Sequence, residues 1–156
     1  MIDVAIPGFG RLELSHLICD YNGTLAADGV LLSGIRERFS RLAERLQIHV
    51  VTGDTFGTAH SQLEGLDCEL VVLPASEQAE AKRRFIDGLG PNRAVAVGNG
   101  RNDRLMLAAA ALGIGVCGDE GIAAEALRAC VIVVRDIHDA FDLLLSEKRL
   151  IASLRS

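Results

Sequence analysis

An excess of positive charge, a long apolar run and a closely spaced cysteine pair are all missing from this 156-residue chain. With 16 Lys and Arg against 21 Asp and Glu the formal net charge is −5, so a nucleic acid is not expected as a main partner, because holding a phosphate backbone needs a basic face. The longest apolar run, Ala108 to Cys117, falls short of the ~20 residues of a membrane helix, and no membrane partner is expected. Met1-Ile2-Asp3 does not lead into the basic segment and apolar core of a secretory signal, so a cytoplasmic location is expected. Cys19, Cys68, Cys117 and Cys130 are scattered, each beside apolar residues and with no C-x-x-C spacing. That usage favours buried free thiols over zinc ligation or disulfides. Repeats, linkers and low-complexity stretches are also missing, and the length suits one domain over residues 1–156.

What is present is a regular alternation. Apolar residues make up 49% of the chain and charged ones 24%, an ordinary globular balance. Val4 to Ile6 and Arg11 to Leu14 flank the turn Pro7 to Gly10, which predicts a short N-terminal β-hairpin. Six apolar strands follow, at His16 to Asp20, Ile48 to Val51, Leu70 to Leu73, Ala94 to Val97, Gly113 to Val116 and Val131 to Val134. Helical patterns separate them. One is capped by Ser33 with the stripe Ile35, Phe39, Leu42 and Leu46; one is marked by Phe56, Ala59 and Leu63; one runs from Ser76 to Leu89 and closes at Gly90-Pro91. Others span about Asn102 to Ala111, Ile122 to Leu127, and a last stretch from Asp136 carrying Ile137, Phe141, Leu144 and Leu145 on one side. Buried strands alternating with helices predict an α/β fold, a doubly wound, Rossmann-like and mostly parallel sheet of about six strands with helices on both faces.

In such sheets ligands bind beyond the carboxyl ends of the strands, where strand order reverses. The first strand-to-helix junction carries Asp20 and Asn22, the second Thr52 and Asp54, the third Lys82 just inside its helix, and the fourth Asn99, Asn102 and Asp103. A carboxylate such as Asp20 at the end of a buried strand must be paired, hydrated or bound to a cation. Lys82 shares a helical stripe with Ala79, Ile86 and Leu89, so it points toward the sheet, in early turns where the helix dipole disfavours a cation. An anionic partner accounts for it better than a stem that packs while its head reaches water. Thr52 can cap a helix or, with the Gly53 amide, bind a phosphate oxygen; Asn22-Gly23 and Asn99-Gly100 can be plain turns; Asp103 can be a first-turn acid. Their coincidence at successive strand ends joins carboxylates, a hydroxyl and one ammonium, a set suited to a cation and a phosphate together. Gly113 to Gly118 fits G-x-G-x-x-G but lies within a late strand, away from a dinucleotide turn, and the four histidines show no ligand spacing.

As a set, D-Y-N-G-T at Asp20 to Thr24, V-V-T-G-D at Val50 to Asp54, Lys82, and G-N-G-R-N-D at Gly98 to Asp103 resemble the four motifs of the haloacid dehalogenase superfamily. Order and spacing match from about His16 to Val134, and the soluble, P-type-ATPase-like branch is the nearest likeness. The resemblance implies one haloacid-dehalogenase-like domain in which Asp20 is the nucleophile and forms an aspartyl-phosphate. Mg²⁺ would be held by Asp20, the Asn22 carbonyl, Asn99 and Asp103; Thr52, Gly53 and Lys82 would bind the transferred group; Asn102 would orient Asp103 or its loop. Spans of about thirty residues between the first three motifs leave no room for a cap domain, and capless relatives take large substrates or borrow a lid from a neighbouring subunit, so a homo-oligomer is one expectation.

Two positions depart from the family. The usual second aspartate, two residues after the nucleophile, is Asn22, which cannot act as acid or base; such a loss costs ~10² to 10⁴ in rate. The usual metal-binding aspartate is Asn99, a neutral donor that weakens Mg²⁺ binding. The expected activity is a slow Mg²⁺-dependent phosphohydrolase, acting on phosphoric monoesters or anhydrides, with ATP or a phosphorylated small molecule as partner. The alternatives are a phosphate-binding or regulatory domain with little or no turnover, and a dedicated small-metabolite phosphatase.

Overall fold

A computed structural model of the chain describes residues 1–53 and 57–156. Asp54 and Phe56, which the sequence assigns to the second junction and the following helix, lie outside the described residues.

Two strands, β1 (Ile2–Ile6) and β2 (Gly10–Leu14), pair antiparallel with Ile2 opposite Leu14, forming the expected hairpin. The chain then runs through β3 (His16–Asp20), the two-residue strands β4 (Ala26–Ala27) and β5 (Val30–Leu31), α1 (Ile35–Ala43), β6 (Gln47–Thr52), α2 (Thr58–Leu63), β7 (Glu69–Val72) and α3 (Gln78–Leu89). It continues with β8 (Ala94–Gly98), α4 (Arg104–Ala109), β9 (Leu112–Val116), α5 (Ala124–Ala129), β10 (Ile132–Val134), α6 (Ile137–Leu145) and α7 (Glu147–Leu154). Among the described residues six strands form one sheet in the order β10-β9-β8-β3-β6-β7, every neighbouring pair parallel. Strand order turns back at β3, so the carboxyl end of β3 is the crevice where a doubly wound sheet binds its ligand.

Side chains alternate across the sheet with period two. Leu17 and Cys19 of β3, with Ile48 and Val50 of β6 and Val95 and Val97 of β8, join a core that includes the buried faces of α1, α6 and the hairpin. Ile18, Val51, Ala94 and Ala96 face the other way, toward Ile86 of α3, Met106 and Leu107 of α4, and Ala126 of α5. Phe39 and Phe141 meet edge to face with centroids 5.5 Å apart and fasten α1 to α6.

Several local expectations change. Ser33 does not cap α1; Gly34, in a left-handed conformation with φ 79°, occupies that position and makes no side-chain cap bond. The stretch from Asn102 to Ala111 is a 3₁₀ turn over Arg101–Asp103 followed by the shorter α4, because Asp103 turns back to bond the loop amides. The last helical stretch is broken after Leu145 into α6 and α7, and Asp136 caps α6 by accepting from the His138 and Asp139 amides. No disulfide links the described cysteines, but only Cys19 is buried; Cys117, beyond the end of β9, is exposed, contrary to the expectation of four buried thiols. Gly113 and Gly115 are packing residues, since a Cβ at either would strike the Leu107 backbone or the side chains of Ile122 and Cys130. No helix among the described residues is long and apolar enough to cross a membrane.

The aromatic pair gives a direct check on the larger core. Phe141→Ala removes a fully buried ring, and urea unfolding is expected to lose about 3–5 kcal/mol of stability with no change in secondary structure by circular dichroism.

Candidate active site

The carboxyl ends of β3, β6 and β8 and the first turns of α3 bring the candidate residues to one place. Register sets Asp20 opposite Val51, so Thr52 follows one step further along β6, and pairs Cys19 with Val97, so Gly98 and Asn99 follow on the other side. Lys82 reaches in from α3. Its Nζ donates to Asp20 Oδ1 at 2.5 Å and to Asp103 Oδ1 at 2.6 Å, with 1% of the residue exposed. The anionic partner foreseen for Lys82 is a pair of carboxylates.

These charges determine one another. Burial raises the Asp20 carboxyl, the neighbouring Asp103 raises it further, and Lys82 and the Tyr21 amide pull it down; the balance leaves it at about 7. Burial alone would lower the Lys82 ammonium, but Asp20 and Asp103 outweigh that penalty and its pKa is raised. Asp103 is fully buried and committed on both oxygens: Oδ1 to Lys82, and Oδ2 to the backbone amides of Asn99 at 3.0 Å and Gly100 at 2.8 Å.

Around this triad lies a second set of contacts. Thr24 Oγ1 donates to Asn99 Oδ1 at 3.2 Å, and Asn99 Nδ2 donates to the Gly121 carbonyl at 3.0 Å. Asn22 is exposed at the rim, in the turn where Gly23 N–H bonds Ala26 O at 2.8 Å. Thr52 is buried; Gly53 is half-buried, and a Cβ there would collide with the Gln78 side chain. Asn102 Nδ2 donates to Gln78 Oε1 at 2.8 Å, so its side chain ties the fourth junction to the start of α3.

Gln78, Thr24 and Glu120 take part without having been assigned these roles from sequence. Gln78 stands four residues before Lys82, on the same helix face, and that spacing was the available signal. Glu120 gave no such signal, being placed by the loop after β9. The four histidines do not gather, although His16 and His49 sit on adjacent strands with Nδ1 and Nε2 3.3 Å apart, far from Asp20 at the opposite end of β3. Among the described residues no group of three or more His, Cys, Asp or Glu is arranged to hold a metal ion.

No protein-family model matches the chain. Over 79 residues it is 48% identical to the uncharacterised protein MJ0073 of Methanocaldococcus jannaschii, a match spanning 48% of this chain and 85% of that protein. The chain belongs to the MJ0073 family. MJ0072 of the same organism is 41% identical over 39 residues, 25% of this chain and 89% of its own length. In fold, this member of the MJ0073 family is similar to the cobalt-bound deoxy-D-mannose-octulosonate 8-phosphate phosphatase of Haemophilus influenzae, with a TM-score of 0.71 at 15% identity over 88% of this chain and 90% of that one. A 3-deoxy-D-manno-octulosonate 8-phosphate phosphatase of Moraxella catarrhalis, solved with a magnesium ion, a phosphate ion and the KDO molecule, gives 0.66 at 12% identity over 92% and 94%. The catalytic domain of the CPx-ATPase CopB-B gives 0.63 at 22% identity over 75% of this chain and 46% of its own. The fold is that of the haloacid dehalogenase hydrolases.

Two outcomes follow from the buried triad. Lys82→Met leaves two buried carboxylates facing each other and is expected to cost about 3–5 kcal/mol at neutral pH by urea unfolding, less at acid pH where Asp20 takes up a proton. Because the Asp20 pKa is higher in the fold than in the unfolded chain, the folded state holds the extra proton between about pH 4 and 7, and its contribution to stability falls as pH rises through that window. Asp20→Asn is therefore expected to melt above wild type at pH values over 7, with the difference closing toward pH 4.

Proposed function

We propose that this protein is a metal-dependent phosphohydrolase that transfers a phosphoryl group to Asp20 and releases it slowly. The observation that carries the reading is the contact of Lys82 with both Asp20 and Asp103, which places a fixed positive charge beside a carboxylate at the ligand-binding end of the sheet.

The donors suit a hard divalent cation: carboxylate, backbone carbonyl and amide oxygens, with no sulfur or imidazole among them. Asp20, the Asn22 carbonyl and Asn99 Oδ1 would hold it, and Asp103, bonded to Lys82 and to the Asn99 and Gly100 amides, would fix the loop that presents Asn99. A cradle for it is kept open at Gly23, where a Cβ would meet the Asn99 amide and a Glu120 carboxylate oxygen. When bound, the cation offsets the repulsion between an anionic phosphate and the attacking carboxylate.

The chain's own part of the chemistry follows from these positions. An Asp20 oxygen attacks phosphorus, an O–P bond to Asp20 forms and the bond to the leaving oxygen breaks. Lys82, with Thr52 and the Gly53 amide, holds the transferred group. The leaving oxygen must take its proton from water, because the Asn22 amide has none to give at neutral pH. Hydrolysis of the acyl phosphate then uses water with no side-chain base at that position, which is why release is slow.

A dedicated small-metabolite phosphatase fits these residues no less well than an ATP-like donor. Its support is a cavity of about 390 Å³ that opens beside Gly23 and Thr24, between the β4–β5 hairpin and the ends of β9 and β10. Asp119, Glu120, Arg135, Asp136 and His138 line one part of it and Ala26, Ala27, Leu32, Val116 and Ile137 another, and the charged part offers hydrogen bonds to a hydroxylated leaving group. No cap domain interrupts the described residues, and a second copy of the chain is one source of a lid, an oligomer that light scattering reads directly.

The test is a panel of phosphate esters and anhydrides with and without Mg²⁺. Asp20→Asn is expected to abolish Mg²⁺-dependent phosphate release, and Asn22→Asp to raise turnover by roughly 10²-fold or more. Release unaffected by Asp20→Asn would refute the reading, whereas Mg²⁺ or phosphate raising the melting temperature without turnover of any substrate would favour a binding domain instead.

A further inference from the structure

Asn99 stands where an acidic metal ligand is usual, and each end of its side-chain amide makes one hydrogen bond. Its oxygen accepts from Thr24, and its nitrogen donates to the carbonyl of Gly121. The second bond fixes which end of the amide points where, since a carbonyl only accepts. An aspartate could not make it; acceptor would face acceptor. The amide therefore does something an acid cannot: it holds the turn after β9.

That turn runs from Gly118 to Gly121, closed by the Gly121 amide on the Gly118 carbonyl at 2.9 Å, and it is tied again to the fourth junction by Ala123 N–H on the Asn99 carbonyl at 2.9 Å. Within it sits Glu120. Its Oε1 accepts from the Asp28 amide in the turn between β4 and β5 at 3.3 Å, while its Oε2 lies 2.8 Å from the point where a Gly23 Cβ would stand. The Asn99 amide atoms lie 2.6 and 2.8 Å from that same point. One missing side chain, at a residue with φ +77°, is thus all that separates the Glu120 carboxylate from the Asn99 amide.

Building on the metal-assisted reading of this site, we propose that Glu120 supplies the negative charge that Asn99 lacks, facing the bound divalent cation across the gap at Gly23, through a coordinated water. The acid has moved from the strand-end position to the neighbouring turn, and the asparagine has become the residue that positions it. The preference of Mg²⁺ for keeping several of its waters agrees with an outer-sphere role. Such a carboxylate strengthens cation binding through charge, since affinity at oxygen sites rises with the count of charged ligands.

Calorimetric titration of Mg²⁺ alone into wild type, Glu120→Gln and the swap Asn99→Asp/Glu120→Gln separates the roles. Glutamine keeps an oxygen for the Asp28 amide, so the metal-free melting temperature of Glu120→Gln should equal that of wild type. Its Mg²⁺ affinity is expected to fall about tenfold, and the swap, which returns an acid to position 99, to recover most of that loss. Equal Mg²⁺ affinity in wild type and Glu120→Gln overturns the role of Glu120 while leaving the metal-assisted reading intact. A wild type that binds no Mg²⁺ overturns both.

Discussion

A buried lysine between two buried carboxylates is the constraint on which this structure turns. Neither Asp20 nor Asp103 could sit where it does as a lone charge, and Lys82 could not point into the sheet without them. The arrangement forces three strand-to-helix junctions into register: β3 must deliver Asp20, α3 must begin early enough to bring Lys82 over it, and the loop after β8 must curl so that Asp103 reaches back. The 3₁₀ turn at Arg101–Asp103 and the commitment of Asp103 to the Asn99 and Gly100 amides are the local result. Two negative charges and one positive leave the cluster short of cation, and it lies at the open end of the sheet, which is the electrostatic case for a divalent metal and a phosphate there.

Much of this was legible in the residues. The continuous burial of β3, β6 and β8 and the apolar stripe of α1 follow from patterns strong enough to survive folding, and the placement of Lys82 on the apolar face of α3 foretold a partner at the strand ends. What was not legible depends on backbone turns. The β4–β5 hairpin turns at Asp28-Gly29, both with positive φ, and its two-residue strands are too short to show a period. Ser33 lost the cap to Gly34 because the chain enters α1 through a left-handed residue. Glu120 is brought to Asn99 only by the Gly118–Gly121 turn, a contact between loops that no spacing in the chain encodes.

The two asparagines divide the chemistry. In the proposed reaction Asn22, exposed at the rim, offers no acid–base assistance to the leaving group or to the water that would hydrolyse an acyl phosphate. Asn99, nearly buried, removes a charge but gains a donor, and that donor organises the loop facing the cavity. The fold is shared with octulosonate phosphatases and with an ATPase catalytic domain, and the cavity beside Gly23 is lined by charged and apolar residues alike.

The central claim is a covalent one, that Asp20 carries the phosphoryl group. It is tested most directly by incubating the protein with Mg²⁺ and a reactive phosphate donor such as acetyl phosphate, quenching in acid, reducing with labelled borohydride and mapping the peptides. Borohydride reduces an acyl phosphate and spares a free carboxylate, so label confined to the peptide holding Asp20, and lost in Asp20→Asn, is the predicted result. No label, or label retained in the variant, would contradict the account.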